Sequence, residues 1–485
     1  MFGFGKREAV LETSDLDAGA LRLISLLAEH GFEAYLVGGC VRDLLMGLTP
    51  HDWDVTTSAK PSDVIGILTE AGIRAVDGGG RRFGTVIAVV GGENYEITTY
   101  RREFYGMDAH RPERVAFAKT LAEDLSRRDF TVNAMAVGKD GRVADPFGGL
   151  SDLKRRRLRT VGDSKARFSE DALRLFRACR FVAQLDFLAD SSLVSGMESA
   201  FSRVAGLSLS RVKTEILKTV TAPHAGRGLD LLVRTGLSDL SCRVRENGTD
   251  ISIPILPELS HLVDLPQMKQ FHKYDAWYHT LAVVEAAPQT EIDRLAALFH
   301  DIGKGMPGVR RVEDEKITDH GHDRMGAEMT KEILTRLRFP QDEVRLISFL
   351  VRDHMKFHYF VNNEKADVKK WVRHLAQSGM FRTRAELTEA ISHMTVLAAA
   401  DVVGCGRPHS ATDGHFAFGA CMKDLAEEMP VSTKELRYDS RVIEALSGKM
   451  AGGMANLLSR VQAGTLPNTP DDLAAAAVRY GRRHE

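Results

Sequence analysis

The 485-residue chain has only five cysteines, at 40, 179, 242, 405 and 421, and none of them forms a C-x-x-C pair. That scarcity and spacing argue against a disulfide scaffold and against structural zinc, and they fit reducing surroundings with buried thiols. A charge of one sign is missing as well. Lys plus Arg number 65 against 66 Asp plus Glu, so the whole chain carries no footprint for nucleic acid or an anionic membrane, and any such footprint must be local. No apolar run approaches the ~20 residues that cross a bilayer, and the opening MFGFGKREAVLETSD has no apolar stretch after its basic residues; a cytoplasmic protein without a membrane segment is expected. Internal repeats and low-complexity tracts are also absent. What is present is ordinary: 44% hydrophobic and 27% charged residues can build a large core, over a length that calls for more than one domain of roughly 100–200 residues.

Apolar residues at Leu16, Ala20, Leu23 and Leu27 have helical spacing, with Gly31 as a stop. Short β-rich runs follow at 34–37, 53–56, 84–90 and 95–100, separated by glycine pairs and by a helical stretch after Pro61. After Asp145-Pro146-Phe147-Gly148-Gly149 strand signals nearly vanish, and 170–183 and 209–219 are predicted helices. The stretch 246–266, with Asn247-Gly248 and prolines 254, 257 and 266, marks a boundary. The fold class is therefore α+β: a mixed sheet with flanking helices at 15–150, a helical neck and body at 151–265, a histidine-rich helical domain at 266–403, and a helical tail of open role at 404–485.

In LVGGCVRDLLMGLTPHDWDVTT (36–57) a strand runs into Gly38-Gly39, then a helix, then a strand expected to carry Asp52 and Asp54. Residues i and i+2 of a strand project to one face, so both carboxylates reach one metal or a pair of metals. Hard oxygen ligands suit Mg²⁺, which also binds nucleotide phosphates. Gly38 and Gly39 let backbone amides approach a triphosphate, and Arg42 supplies charge one helical turn on. A bare D-x-D is also compatible with a solvated strand end; the glycine pair tips the reading toward catalysis.

This segment resembles the motif of class II tRNA nucleotidyltransferases and bacterial poly(A) polymerases, members of the polymerase-β-like superfamily. Further matches follow in the family's order: EITTYRREFYGMDAHRPERVAF (96–117), EDLSRRDFTVNAMA (123–136), DPFGGLSDLKRRRLRTVG (145–162) and RFSEDALRLFRACRF (167–181). The resemblance implies Arg128 on the nucleotide, with Asp129 and Asn133 in support near sugar and phosphates. It implies that Asp171 and Arg174, three apart on a predicted helix, read the base, with Arg177 and Arg180 positioning nucleotide or primer. An acceptor beside a donor suits cytosine and adenine and rejects guanine and uracil; the competing reading is an intrahelical salt bridge. Glu96 has two readings, a third metal-facing carboxylate or a sheet-edge charge. Between 154 and 180 ten basic residues face three acidic ones, a local excess that points to RNA binding through Lys154, Arg155, Arg156 and Arg157 or to a solvated helix face.

Beyond residue 270 come His279, the pair His300-Asp301, His320, His322, His354 and Asp401. Imidazole with carboxylate suits a transition metal or Mg²⁺. The order H…HD…D resembles the HD phosphohydrolase superfamily, which implies a divalent metal of open identity on His279, His300, Asp301 and Asp401, and His322 and His354 as ligands to a second. His51, His224 and His393 are expected to be core or surface residues. In the nucleotidyltransferase family such a region implies metal-dependent removal of phosphate from 2′,3′-cyclic or 2′-phosphorylated nucleotides.

The family resemblance implies template-independent transfer of CMP, CMP and AMP from CTP and ATP to a tRNA 3′ end, with the helical body holding the acceptor arm and no membrane partner. The stretches 80–101 and 101–114 resemble the branch that completes all three additions. A poly(A) polymerase and a CC-only enzyme share the chemistry; an HD phosphohydrolase with a nucleotide-sensing front half, or an inactive RNA-binding adaptor, would not need the complete front-half set.

Overall fold

The computed structural model describes residues 9–76, 84–106, 112–314 and 316–483. Of the stretches read from the sequence, residues 1–8 of the opening segment, 80–83, and 107–111 lie outside the described residues. The chain falls into two compact units, up to Pro257 and from Glu258 onward. No helix among the described residues is long and apolar enough to cross a membrane.

The first unit opens with helix α1 (Ala18–Glu29), whose first free amides are capped by Asp17: its Oδ1 accepts from Ala20 N–H at 2.8 Å. Helix α1 buries Ala20, Leu23, Ile24 and Leu27, the stripe expected from the periodicity. Around it are assembled β1 (Ala34–Val37), α2 (Gly39–Leu45), β2 (Asp54–Thr57), α3 (Pro61–Glu70), β3 (Arg74–Val76), β4 (Thr85–Val90) and β5 (Glu93–Thr99). A hairpin, β6 (Arg101–Tyr105) with β7 (Pro112–Phe117), is followed by α4 (Leu121–Ser126), β8 (Ala136–Val137) and β9 (Val143–Ala144).

Among the described residues one sheet runs β3-β4-β5-β2-β1-β8-β9. Its β2–β5 pairing is parallel and its other pairings are antiparallel, which is the mixed connectivity expected. Val55 and Ile97, in register across β2 and β5, are fully buried in the main apolar cluster with Leu23, Leu27 and Leu68. Because side chains alternate along a strand, Asp54, Glu96 and Thr98 are left on the opposite face. One face of these strands is core; the other is free for chemistry.

Helices α5 (Gly149–Lys154), α6 (Ser164–Glu170), α7 (Leu173–Leu185), α8 (Ser191–Met197), α9 (Phe201–Val204), α10 (Leu209–Val220) and α11 (Ala225–Arg234) complete the helical part of this unit. The uninterrupted helix expected over 170–183 is broken. Asp171 is extended (φ −143°, ψ 105°), ending α6 before α7 begins. Residues 241–254 pair as a hairpin, which overlaps the start of the stretch read as a boundary. Asn247 (φ 48°) and Gly248 (φ 84°) form its two-residue turn, a geometry that requires positive φ at both positions and that Asn-Gly favours.

The second unit is helical: α12 (Ala276–Ala286), α13 (Glu291–Phe299), α14 (His322–Arg336), α15 (Gln341–Val361), α16 (Val368–Gln377), α17 (Arg384–Gly404) and α18 (Asp413–Glu427), with a short hairpin formed by Arg310–Glu313 and Lys316–Asp319. Three closing helices, Ser440–Ala445, Met450–Gln462 and Pro470–Arg483, bury Leu446, Leu457 and Leu473 in an apolar cluster of their own.

Candidate active sites in the two units

In the first unit a cavity of about 390 Å³ opens on the non-core face of β2 and β5. Asp54, Glu96, Arg128, Asp129, Asp171, Arg174 and Arg177 line it. Asp54 is the first residue of β2, opposite Glu96 in the parallel ladder. Asp52 does not share the strand as expected. It precedes the first ladder pair and is exposed, while half-buried Trp53 packs against the core. Burial raises the Asp54 pKa; Arg128 opposes the shift, and Glu96 and Asp52 add to it. Asp54 and Glu96 face each other across the ladder while Asp52 stands outside the cavity lining, and a cation beside Asp54 would relieve both its burial and the repulsion.

Gly38 enables this approach. It sits at φ 87°, and a Cβ there would lie 2.7 Å from an Arg128 guanidinium nitrogen and 3.9 Å from Asp54 Oδ2. Gly39 begins α2, and Arg42 on its next turn donates from Nε to Asp43 Oδ1 at 2.8 Å and from Nη1 to Asn133 Oδ1 at 2.7 Å. Asn133 Nδ2 in turn donates to Asp129 Oδ1 at 3.3 Å, and Arg177 Nε donates to Asp129 Oδ2 at 2.7 Å. Residues 42, 133, 129 and 177 thus form one hydrogen-bonded relay. Burial opposes ionisation of Asp129, but Arg177 and Arg174 outweigh it and hold its pKa at about 2.

Asp171 and Arg174 both reach the cavity, but not as neighbours on one helix face. Helix α6 ends before Asp171, whose Oδ1 accepts from Leu173 N–H at 2.9 Å. Arg174 instead donates to Glu170 Oε2 at 2.6 Å, to the carbonyls of Arg167 and Arg127 at 2.9 and 3.0 Å, and to Tyr105 Oη at 3.3 Å. Burial pushes the Asp171 pKa up to about 6 despite Arg174. Arg180 stands away from the lining residues: it is buried, pairs with Glu215 at 3.2 Å and lies over the Phe181 ring. The basic run is only partly available. Lys154, Arg155 and Arg156 are exposed, but Arg156 pairs with Asp186 at 3.1 Å and Arg157 with Asp152 and Asp190, each at 3.1 Å.

Sequence reasoning missed Arg101, Glu103 and Tyr105, which also line the cavity. Their spacing on β6 was the available signal, since i, i+2 and i+4 share one face. Glu103 accepts from Arg101 and Arg127 at 2.9 Å each and from Tyr105 Oη at 2.6 Å.

In the second unit Asp301, His322 and Asp401 line a cavity of about 860 Å³. His279 Nε2 lies 3.2 Å from His300 Nε2, 3.3 Å from Asp301 Oδ2 and 3.1 Å from Asp401 Oδ1. The other oxygen of Asp301 faces a second pair: Oδ1 is 3.2 Å from His322 Nε2 and 4.0 Å from His354 Nε2. Each of these last two rings, like His300, makes a hydrogen bond of 2.6–2.7 Å through Nδ1 to a backbone carbonyl, of Asp319, Val351 and Ala297 respectively. Donation from Nδ1 fixes the tautomer and leaves the Nε2 lone pair pointing inward, the arrangement of metal-binding histidines. Burial, with His322 and His300 nearby, pushes His354 down to about 3, so its ring is neutral at neutral pH. The His279–His300–Asp401 and Asp301–His322–His354 groups each bring ligand atoms within 4.8 Å of one another. All the residues read as HD ligands are therefore brought together, in two groups joined by Asp301.

His320 is exposed at the cavity wall. His393 instead bonds Asp293 at 2.7 Å, and His224 stands beside Asp186. Lys304, His358, His272 and Cys405 were missed at the HD centre. Lys304 Nζ is 2.6 Å from Asp301 Oδ2 and His358 Nε2 is 2.9 Å from Asp401 Oδ2. Helical spacing carried the signal for His358 and Cys405, four residues after His354 and Asp401. The thiols also differ from the uniform burial expected: Cys40, Cys179 and Cys242 are buried, Cys405 is half-buried and Cys421 is exposed.

Residues 34–159 match the family described as Poly A polymerase head domain, and residues 277–392 match the HD domain family. A CCA-adding enzyme of Geobacillus sp. (strain WCH70) is 45% identical over 218 residues, covering 45% of this chain and 53% of that protein. The CCA-adding enzyme of Geobacillus thermodenitrificans (strain NG80-2) is 43% identical over 229 residues, 47% of this chain and 55% of its own. The matched stretch thus spans about half the length of these curated relatives. The Bacillus stearothermophilus CCA-adding enzyme, solved in complex with CTP, superposes with a TM-score of 0.66 at 25% identity, over 96% of this chain and 98% of that one.

Proposed function

Starting from a chain that joins a Poly A polymerase head domain to an HD domain, we propose that it is a tRNA nucleotidyltransferase that adds CMP, CMP and then AMP from CTP and ATP to tRNA 3′ ends, releasing pyrophosphate. The observation that carries this reading is the single cavity holding Asp54 and Glu96 together with Arg128, Asp129, Asp171, Arg174 and Arg177. We divide the chain for this purpose into a catalytic head at 15–150, a nucleotide-selecting and RNA-binding neck and body at 151–265, an HD domain at 266–403 and a tail at 404–485.

Asp52 and Asp54 would hold Mg²⁺, with Glu96 across from Asp54, and the ion when bound lowers the pKa of the primer hydroxyl and stabilises charge on pyrophosphate. Arg128 and Arg42 meet the triphosphate, whose close approach the absence of a side chain at Gly38 and Gly39 permits. Arg177, Asp129 and Asn133 form a pre-assembled support for sugar and phosphate, so that little reorganisation is needed as charge develops. Asp171 accepts from the exocyclic amine of cytosine or adenine and Arg174 donates to the neighbouring ring nitrogen. The several anchors on the Arg174 guanidinium restrict where it can present its remaining donor capacity. Lys154, Arg155, Arg156 and Arg157 contribute phosphate contacts to the acceptor arm, and Arg180 acts by packing Phe181 under the site. A cytoplasmic setting follows from these substrates.

The HD ligands support a second, metal-dependent removal of phosphate from 2′,3′-cyclic or 2′-phosphorylated nucleotides. The two ligand groups sharing Asp301 favour this reading.

The test is incubation of the purified full chain with a tRNA transcript lacking CCA, using CTP, ATP or both, with products sized to single nucleotides. Two additions with CTP and a third only with ATP, then arrest, is the expected result. Arrest at two indicates a CC-adding enzyme, a long ladder with ATP a poly(A) polymerase, and no extension refutes the reading.

A further inference from the structure

Beside the HD ligands the wall of the 860 Å³ cavity carries a thiol and an imidazole that the phosphohydrolase reading does not use. Cys405 caps α17 one turn after Asp401, and His272 lies in the loop before α12. Cys405 Sγ is 3.4 Å from His272 Nδ1. Ligand atoms of His272, His279 and Cys405 all lie within 4.8 Å of one another, and the two imidazole rings meet edge to face with centroids 4.8 Å apart. Two ligands at tetrahedral zinc, with bonds of about 2.3 Å to sulfur and about 2.0 Å to nitrogen, stand roughly 3.5 Å apart, so the Cys405–His272 spacing needs little change to receive an ion.

The backbone is shaped for this encounter. Gly406 lies at φ 85°, and a Cβ there would be 2.9 Å from the Lys273 side chain. Lys273 N–H also donates to the Cys405 carbonyl at 3.3 Å. Only glycine after Cys405 lets the end of α17 press this closely on the segment that carries His272.

We propose that His272, His279 and Cys405 form a further metal position, selective for a thiophilic divalent cation such as Zn²⁺ or Co²⁺ over Mg²⁺. Sulfur and imidazole ligands prefer borderline and soft ions, whereas Mg²⁺ demands oxygen. The position differs from the two HD groups in its donor set and in its place on the cavity wall. It shares His279 with the His279–His300–Asp401 group, so a thiophilic ion held here competes with the ion held there. Binding displaces the thiol proton to solvent as the sulfur–metal bond forms. The proposal rests on geometry and donor type and does not depend on either activity above.

Chelator-stripped full-length protein is titrated with Co²⁺ and its absorption recorded. The expected result is a near-ultraviolet thiolate-to-cobalt charge-transfer band, retained in Cys421→Ser and lost in Cys405→Ser, with the visible cobalt bands from imidazole and carboxylate ligands persisting in that variant. Cobalt uptake without the charge-transfer band, or a band that survives Cys405→Ser, overturns the proposal while leaving the HD reading standing. No cobalt uptake overturns both. Unaltered protein gives an independent check: Zn²⁺ is expected to slow alkylation of Cys405 but not of Cys421, read by peptide mass spectrometry, and equal labelling with and without Zn²⁺ counts against the site.

Discussion

Asp54 and Glu96 stand directly across from each other in the parallel pairing of β2 with β5. Their flanking neighbours Val55 and Ile97 point into the core, so the alternation that buries those two side chains delivers both carboxylates to the same cavity. Register, rather than spacing along the chain, makes Glu96 a companion of Asp54.

Glu96→Gln removes one charge without removing volume. Nucleotide incorporation is expected to fall by about 10²-fold, the order seen when one preorganised electrostatic contact is lost, and to need a higher Mg²⁺ concentration for half-maximal rate. Single-turnover assays across a Mg²⁺ series, with circular dichroism to establish an intact fold, check this. An unchanged Mg²⁺ dependence would return Glu96 to a sheet-edge charge.

Asp171 should impose an acid limb on base recognition. Its pKa is pushed up to about 6 by burial, so below that value it carries a proton where the base amine requires an acceptor. The expected kcat/KM for CTP rises through about pH 6 and then levels, while Asp171→Asn removes this limb and loses discrimination against UTP. Stability has the opposite trend. The folded pKa exceeds the unfolded one, so the fold holds the proton more tightly between about pH 4 and 6 and loses that advantage as pH rises, a cost on the order of 2–3 kcal/mol at neutral pH. Without nucleotide, Asp171→Asn should therefore melt higher than the parent at pH 7.5 and no higher at pH 4; thermal unfolding at both pH values decides.

Asp301 serves both HD groups, one oxygen to each, so its loss should be disproportionate. Asp301→Ala is expected to abolish binding at both HD positions, whereas His354→Ala should weaken only the group it shares with His322. Metal content per chain after dialysis, measured alongside hydrolysis of a 2′,3′-cyclic nucleotide, distinguishes the two. Equal losses in both variants would argue for a single mononuclear centre.

Gly38→Ala tests the close approach at the front cavity. The substitution meets a positive φ and a guanidinium nitrogen at 2.7 Å, so a destabilisation of about 1–2 kcal/mol is expected from the backbone alone. Displacement of Arg128 should add a loss in nucleotide affinity. Chemical denaturation and CTP binding measure these two effects separately, and wild-type values in both would mean that the loop relaxes freely.

Local physics was legible in the sequence. The α1 stripe, the glycine at 38, the β-rich run at 95–100 and the order of histidines and aspartates follow from periodicity and residue chemistry, which depend on neighbours a few positions apart. Tertiary structure decided what those signals could not contain. The break at Asp171 turned an apparent intrahelical pair into two separately held groups, and Asp186, Asp190 and Glu215 paired with Arg156, Arg157 and Arg180 from positions 30 to 35 residues away. Partner choice of this kind is fixed by chain segments meeting in space, as is the meeting of His272 with Cys405 across 133 positions. The sequence by itself determined which residues could do chemistry; packing and register determined which of them face the same few ångströms.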